Sequence, residues 1–564
     1  MEGFNLKRIN AFCSALLSLA ILPGLLSTVH ADEQDPIIAG PDIAVVQTAE
    51  GKVQGYIHNG IFTYHGIPYA EADRFMPPAK VKSWEGIRMA LTYGSVSPQS
   101  TSREDDIFPP HWYWPHWEAR NLPQDDHCQN LNVWTPGIND GKKRPVMVWL
   151  HGGGHTMGSA TVEDAYDGEN LSRKGDVVVV SVNHRLNVVG FLNLSAYDNY
   201  KDSFNLSIKD LVASLEWIKE NIAAFGGDPD NVTLFGQSGG GSKVLTLMAT
   251  PAAKGLFSKA VIQSGGVENS GMTLMDIDTS RYITEITLKN LNITPENLDS
   301  IKTIPYATLN DAANKALVQI ANERNSNNAL GGRSISWAPV MDGNYIIAHP
   351  AGEKFVEQAK DIPLMVGSVL NEWVSMPLLA NMAIAQSDNK NNWTDEQAKE
   401  KLAARYGDKA EAITKAFLKA YPNKKAADAL YVDSFLRTRA AKIANLKTDL
   451  NGAPVYSYVF TWETPVLGGF AMAYHCSELP FVFNNITLSE MATGGGKAAQ
   501  ALADKMSQAW INFARTGNPN HKGLPEWPAY TRDGGATMIF DNEPVVVHHH
   551  DRELMSLLLP NYKY

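Results

Sequence analysis

Cysteine is scarce in this 564-residue chain, with only Cys13, Cys128 and Cys476. So few thiols exclude a disulfide-built scaffold, and none has zinc-site spacing, so a packed core must hold the fold. Blocks of Lys or Arg are missing and the formal net charge is −11, which argues against a nucleic-acid surface. Neither a G-x-x-x-x-G-K-[ST] nor a G-x-G-x-x-G pattern with its partners occurs, so a phosphate-cradling loop has no signature here. Beyond the N-terminal segment no window approaches the ~20 apolar residues that span a membrane. Repeats, low-complexity tracts and a convincing linker are also lacking, so residues 32–564 read most simply as one domain.

What is present is an ordinary globular composition, 44% hydrophobic and 19% charged, able to bury a large core. The first 31 residues read as a secretory signal. Lys7 and Arg8 make a positive start, Ala11–Leu26 is apolar but broken at Pro23-Gly24, and Val29-His30-Ala31 supplies small residues before Asp32. Cleavage is expected after Ala31, giving a secreted or periplasmic protein whose mature form does not span a membrane.

Along the chain, short strand-like runs from Ile43 alternate with glycine turns and suggest an N-terminal antiparallel meander. Phe108–Trp117, FPPHWYWPHW, is too rich in proline for a regular helix or central strand, so it reads as a loop that caps the core or walls a pocket. Near-continuous apolar runs at Val146–Leu150 and Asp176–Val182 are of the kind a parallel sheet covered on both faces produces. Asp210–Ala224 has a helical stripe of Leu211, Leu215, Ile218 and Ile222. Further strands are expected at Val232–Phe235, Lys259–Gln263, Ile362–Val369 and Val455–Thr461, and a helix over 495–515. Alternation of strand and helix points to an α/β fold with a doubly wound, mostly parallel sheet. The helix-rich stretches 272–360 and 376–450 read as insertions.

The chemistry centres on Asn231–Gly241, NVTLFGQSGGG, a strand, a G-x-S-x-G turn and a helix. In that context the turn is a nucleophile elbow, which lifts the Oγ of Ser238 out of the sheet at a helix N-terminus. A serine hydroxyl needs a neutral imidazole as base and a carboxylate to orient it, supplied in the order Ser, acid, His by loops after later strands. Glu372, just past Ile362–Val369, meets the acid requirement, with Asp342 and Asp361 as competitors. His475, after Val455–Thr461, meets the base requirement by chain order. His65 and His184 read as core or turn histidines, and His548–His550 as a solvated turn rather than a metal site. After Val146–Leu150 comes His151-Gly152-Gly153-Gly154. Backbone N–H groups of Gly153, Gly154 and Gly239 can converge on a developing oxyanion because no side chain blocks the approach. Neither a metal nor an organic cofactor is implied.

Several separate motifs resemble the type-B carboxylesterases, the cholinesterase/lipase branch of the α/β-hydrolase fold. They are GIPYAEADRFMPP, Leu131–Pro136 (LNVWTP), WLHGGG, VNHRLNVVGFL, NIAAFGGDPDNVTLFGQSGGG, GSVLNEW, YHCSELPFVF, and WINFARTGNPN with WPAY, and they cover nearly all of residues 43–550. The resemblance implies a nucleophile at Ser238, an acid at Glu372, a base at His475, and oxyanion donors at Gly153, Gly154 and Gly239. Four departures stand out. Ser97 occupies the position of the cysteine that relatives commonly bridge to the Cys128 position. His155 replaces a usual aromatic residue and could contact substrate or be structural. Gln237 stands where an acidic residue is common, and Gly239 where alanine is. Cys476 reads as a buried thiol, with pairing to Cys128 open.

The expected function is hydrolysis of small carboxylic esters through an acyl-enzyme, with water as second substrate. An amidase or carbamate hydrolase on the same machinery is the nearest alternative, and a non-catalytic binding module a remoter one. Substrate identity and oligomeric state are not legible.

Overall fold

The computed structural model of the protein describes residues 36–100, 122–266, 274–324, 335–375 and 387–561. The expected signal segment and the Phe108–Trp117 loop lie outside the described residues, as do parts of the two insertions.

An eleven-stranded mixed sheet organises the molecule. Its strands are β1 (Tyr56–His58), β2 (Ile61–Pro68), β3 (Asn130–Thr135), β4 (Arg144–Leu150), β5 (Val178–Val182), β6 (Gly227–Gln237), β7 (Lys259–Gln263), β8 (Leu364–Val369), β9 (Val455–Phe460), β10 (Ala536–Phe540) and β11 (Val545–His548). Their spatial order is β11-β10-β9-β8-β7-β6-β4-β5-β3-β2-β1. From β5 across to β10 neighbours are parallel, and antiparallel pairs close both edges. This is the doubly wound sheet the alternating pattern led us to expect.

The apolar runs owe their continuity to burial on both faces. Val146, Val148 and Leu150 of β4 face one core with Leu211, Leu215 and Ile218 of α1 (Leu206–Asn221). Met147 and Trp149, the alternate residues, face a second core with Phe235, Phe483 and Trp510. Trp149 meets the rings of Phe235 and Phe483 at 5.0 and 5.1 Å between centroids. Every residue of β4 and β5 is buried, so no polar alternation survives to be read.

The N-terminal meander is not one sheet. Val45–Gln47 and Lys52–Gln54 pair antiparallel, but Lys52–Gln54 then pairs parallel with Ile87–Met89 in a separate three-stranded sheet. The chain turns away at Gly55, and only the following hairpin, β1 and β2, extends the main sheet. The insertions carry helices as expected, among them α3 (Ile277–Asn290), α4 (Tyr306–Glu323) and α5 (Phe435–Thr448). Among the described residues no helix is long and apolar enough to cross a membrane.

One buried ion pair ties helix to sheet below the site. Arg185, just past β5, grips Asp210 of α1 through Nε at 2.8 Å and Nη2 at 2.6 Å, while the Arg185 amide adds a third bond to Asp210 at 3.0 Å. The Arg185 Nη1 also donates to the Met76 carbonyl at 2.7 Å, and both side chains are about 1% exposed or less. Removing one partner strands the other charge in the core, a loss of about 3–5 kcal/mol. We therefore expect Asp210→Ala to lower the thermal unfolding midpoint by several degrees. A midpoint equal to the wild type would show that the pair is not a structural anchor.

Candidate active site

Strand β6 stops at Gln237, and Ser238 adopts φ 56°, ψ −122° before helix α2 (Gly239–Leu247) begins. A non-glycine residue in that region is strained by about 1–3 kcal/mol and persists only where its surroundings enforce it. Here they do. The Ser238 amide donates to the Gln263 carbonyl on β7 at 2.8 Å, and its carbonyl accepts from the Ser242 amide at 3.0 Å. A Cβ at Gly240 would lie 1.9 Å from the Leu150 carbonyl oxygen, so only glycine lets the first turn of α2 come so close to the end of β4.

That approach brings the two glycine segments together. A Cβ on Gly239 would fall 2.2 Å from the Gly154 carbonyl oxygen, so the amide following Ser238 sits against the turn after β4. The turn is pinned by the Met157 amide donating to the Gly153 carbonyl at 3.1 Å. Among the described residues the amides of Gly153 and Gly154 have no acceptor. Free donors beside a helix N-terminus form a preorganised site for negative charge.

Glu372 follows β8 and His475 follows β9, so both stand at carboxyl ends of neighbouring parallel strands. The His475 Nδ1–H donates to Glu372 Oε2 at 2.5 Å, and the Val369 amide donates to Glu372 Oε1 at 3.0 Å. Both residues are almost wholly buried. Burial acts on them in opposite senses, raising the proton affinity of Glu372 against the Ser264 hydroxyl and the Val369 amide, and lowering that of His475 to about 4. Burial therefore favours the uncharged ring, in which Nε2 is an acceptor. Asp361 is exposed and Asp342 is spent on the amides of Tyr345 and Ile346, so neither competitor approaches the imidazole.

Sequence reasoning missed several groups around this pair. The Gln237 amide donates to His475 Nε2 at 3.3 Å, and Gln237 Oε1 accepts from the Cys476 thiol at 3.2 Å. No hydrogen bond joins Ser238 Oγ to His475 in this conformation. Trp373 lies over the imidazole at 4.0 Å between centroids. Glu478 is fully buried, takes a bond from Gln263 Nε2 at 3.2 Å, and is pushed up to about 7 by burial and by the nearby Glu372. Gln237 left a trace in the sequence as a departure from the family pattern, and Cys476 as an expected buried thiol.

The remaining candidates sort simply. Cys128 and Cys476 are both free, buried thiols. Cys128 lies beside Ser97, whose Oγ accepts from the Leu186 amide at 3.0 Å. His155 is buried with its ring edge-on to Phe191 at 5.2 Å. His65 and His184 are buried, His65 bonded to Tyr56 and His184 to Ser207. His548 and His549 contact the carbonyls of Gly534 and Asp533, and His550 is buried against Tyr421. The last is a correction to the solvated turn expected there, because its ring packs against Tyr421 and lies beside Asp551, with its side chain only 5% exposed.

A serine on a strained strand-to-helix turn, with a neutral imidazole held by a carboxylate two strand-ends away, suits acyl transfer, and this strand order is that of the α/β-hydrolases. The chain belongs to the Carboxylesterase family, whose sequence profile matches residues 42–556, and is a serine carboxylic ester hydrolase. It is 33% identical to a para-nitrobenzyl esterase of Bacillus subtilis (strain 168), covering 92% of this chain and 99% of that one. It is 30% identical to a phenmedipham hydrolase of Pseudarthrobacter oxydans, covering 88% and 95%. Among solved structures it resembles an esterase from the anaerobe Clostridium hathewayi that can hydrolyze aliphatic aromatic polyesters. That likeness has a TM-score of 0.83 and 38% identity, and covers 93% of this chain and 99% of the other.

The neutral amide of Gln237 against the imidazole gives a pH prediction. A carboxylate there favours the charged ring, raising the His475 proton affinity by about one pH unit or more. Ester hydrolysis that needs the neutral ring then loses rate at a higher pH. We expect the acidic limb of kcat/KM to lie below about 6.5, the ordinary imidazole value, in the wild type, and to move upward in Gln237→Glu. An unmoved or lowered limb would contradict the geometry.

Proposed function

We propose that Ser238 is the nucleophile, His475 the general base and acid, and Glu372 the group that orients and stabilises the imidazole. Ser238 Oγ attacks the ester carbonyl while His475 Nε2 takes its proton. The carbonyl oxygen, now negative, rests on the amides of Gly153, Gly154 and Gly239, each donor worth about 3 kcal/mol in the transition state. Collapse expels the alcohol, which receives the proton from His475, and leaves an acyl group on Ser238. Water activated by the same imidazole then releases the carboxylic acid.

The observation that carries this reading is the 2.5 Å bond between Glu372 and His475, 103 residues apart in sequence, on the strand ends beside the Ser238 turn. For attack, Oγ replaces the Gln237 amide as the partner of Nε2, a closure that catalytic hydrogen bonds commonly make only with substrate bound. We propose small carboxylic esters as substrates. The para-nitrobenzyl esterase relative and the polyester-hydrolysing neighbour both favour testing esters with aromatic groups on either side.

Ser238→Ala is expected to lower kcat for a p-nitrophenyl short-chain ester by at least 10⁴-fold, roughly the loss seen when a triad member is removed, with the thermal midpoint within a few degrees of wild type. Retained turnover in a folded Ser238→Ala enzyme would dismiss the assignment. We also propose that the chain is exported and processed. The mature N-terminus is expected at Asp32 when secreted protein is sequenced, and a chain that keeps residues 1–31 would refute it.

A further inference from the structure

Lys243 is the fifth residue of α2, directly before the core residues Val244 and Leu245, and is fully buried. A lysine there is costly, because the ammonium loses its hydration and needs compensation. Compensation is sparse. Among the described residues Lys243 has no ion pair, and its single hydrogen bond runs from Nζ to the His151 carbonyl at 2.9 Å. Among the described residues the titratable groups that couple to it are the imidazoles of His151, His155 and His184, all buried and none acidic. Burial lowers its proton affinity to about 7, and among the described residues no carboxylate opposes the shift. An aliphatic residue would fill the same space without the desolvation.

The place of that one bond explains the lysine. His151 opens the glycine turn, and its carbonyl shares a peptide with the Gly152 amide, one peptide before the amide of Gly153 and two before that of Gly154. Other bonds brace the rest of the turn. His151 Nδ1 meets the Gly152 carbonyl at 2.9 Å, the Met157 amide meets Gly153, and the Asn187 amide donates to the His155 carbonyl at 2.8 Å. The His151 ring is further stacked on His184 at 4.9 Å and 20°. The His151 carbonyl itself is held by Lys243, on the same helix whose first amide belongs to Gly239.

We propose that Lys243 is a positioning residue of the oxyanion site, which ties the turn after β4 to α2 so that the Gly153 and Gly154 amides stay aligned with that of Gly239. The inference rests on the oxyanion assignment above. The amine donates this bond whether charged or neutral, so the role holds across neutral pH. Misaligning two donors weakens the transition state far more than the ground state, because only the oxyanion needs all three.

The test compares Lys243→Met and Lys243→Leu with wild type and Ser238→Ala, with thermal unfolding first confirming folded protein. The expected result is a kcat at least tenfold lower with KM within about threefold. Affinity for a trifluoromethyl ketone, which forms an oxyanion on the serine, should fall by the same factor as kcat. The acidic limb of kcat/KM should stay in place, since the base is untouched. A folded variant with kcat within threefold of wild type, or one slowed without losing ketone affinity, overturns the inference. So does failure of both variants to fold, which would make Lys243 a structural group. These failures are separable from that of the underlying reading, which is overturned if Ser238→Ala stays active.

Discussion

The structure depends on how closely the first turn of α2 approaches the end of β4. Gly240 has no room for a methyl group beside the Leu150 carbonyl, and Gly239 has none beside the Gly154 carbonyl. This contact does three things at once. It forces Ser238 into its strained conformation, sets the amide after the serine beside the glycine turn, and brings Lys243 within reach of the His151 carbonyl. The parallel pairing of β4 with β6 supplies the register, and the two packed faces of the sheet keep it rigid. Strain at Ser238 is tolerated because this scaffold outweighs it.

The surroundings of the imidazole avoid charge. Asp433 and Glu478 are buried carboxyls raised to about 7, chiefly by burial, and the half-buried Glu163 is raised to about 8. Gln237 contributes an amide where relatives commonly carry an acid, and Trp373 covers one face of the ring. Burial favours the neutral ring, and Glu372, 2.5 Å away, is the group proposed to stabilise the cation once the ring takes a proton from Ser238. Trp510 reaches the same region from the helix Gly496–Thr516, donating to Gln263, which in turn donates to Glu478. The surroundings of the imidazole are thus built from β7, β8, β9 and the helix Gly496–Thr516 together.

Much of this was legible in the sequence because its cause is local. The elbow is visible because sharp turns demand glycine at fixed offsets, and β4, β5 and β7 because buried parallel strands leave largely apolar runs. The order Ser238, Glu372, His475 follows from topology. What could not be read depends on contacts between distant segments. Lys243 looks like any helix lysine until its burial is known, and nothing local marks Gln237 as a partner of His475 Nε2. Glu163 and Glu478 are unremarkable acids in one dimension. The split of the N-terminal strands arose the same way, since Ile87–Met89 lies more than thirty residues from the strand it joins.

The central claim is that ester hydrolysis passes through a covalent bond at Ser238. The most direct test is intact-mass spectrometry of the enzyme treated with an organophosphate, followed by peptide mapping. The account predicts one adduct per chain, on the peptide bearing Ser238, with activity lost in step with labelling and no adduct on Ser238→Ala. Turnover of esters by an enzyme that never carries the label at Ser238, or carries it on another residue, would contradict it.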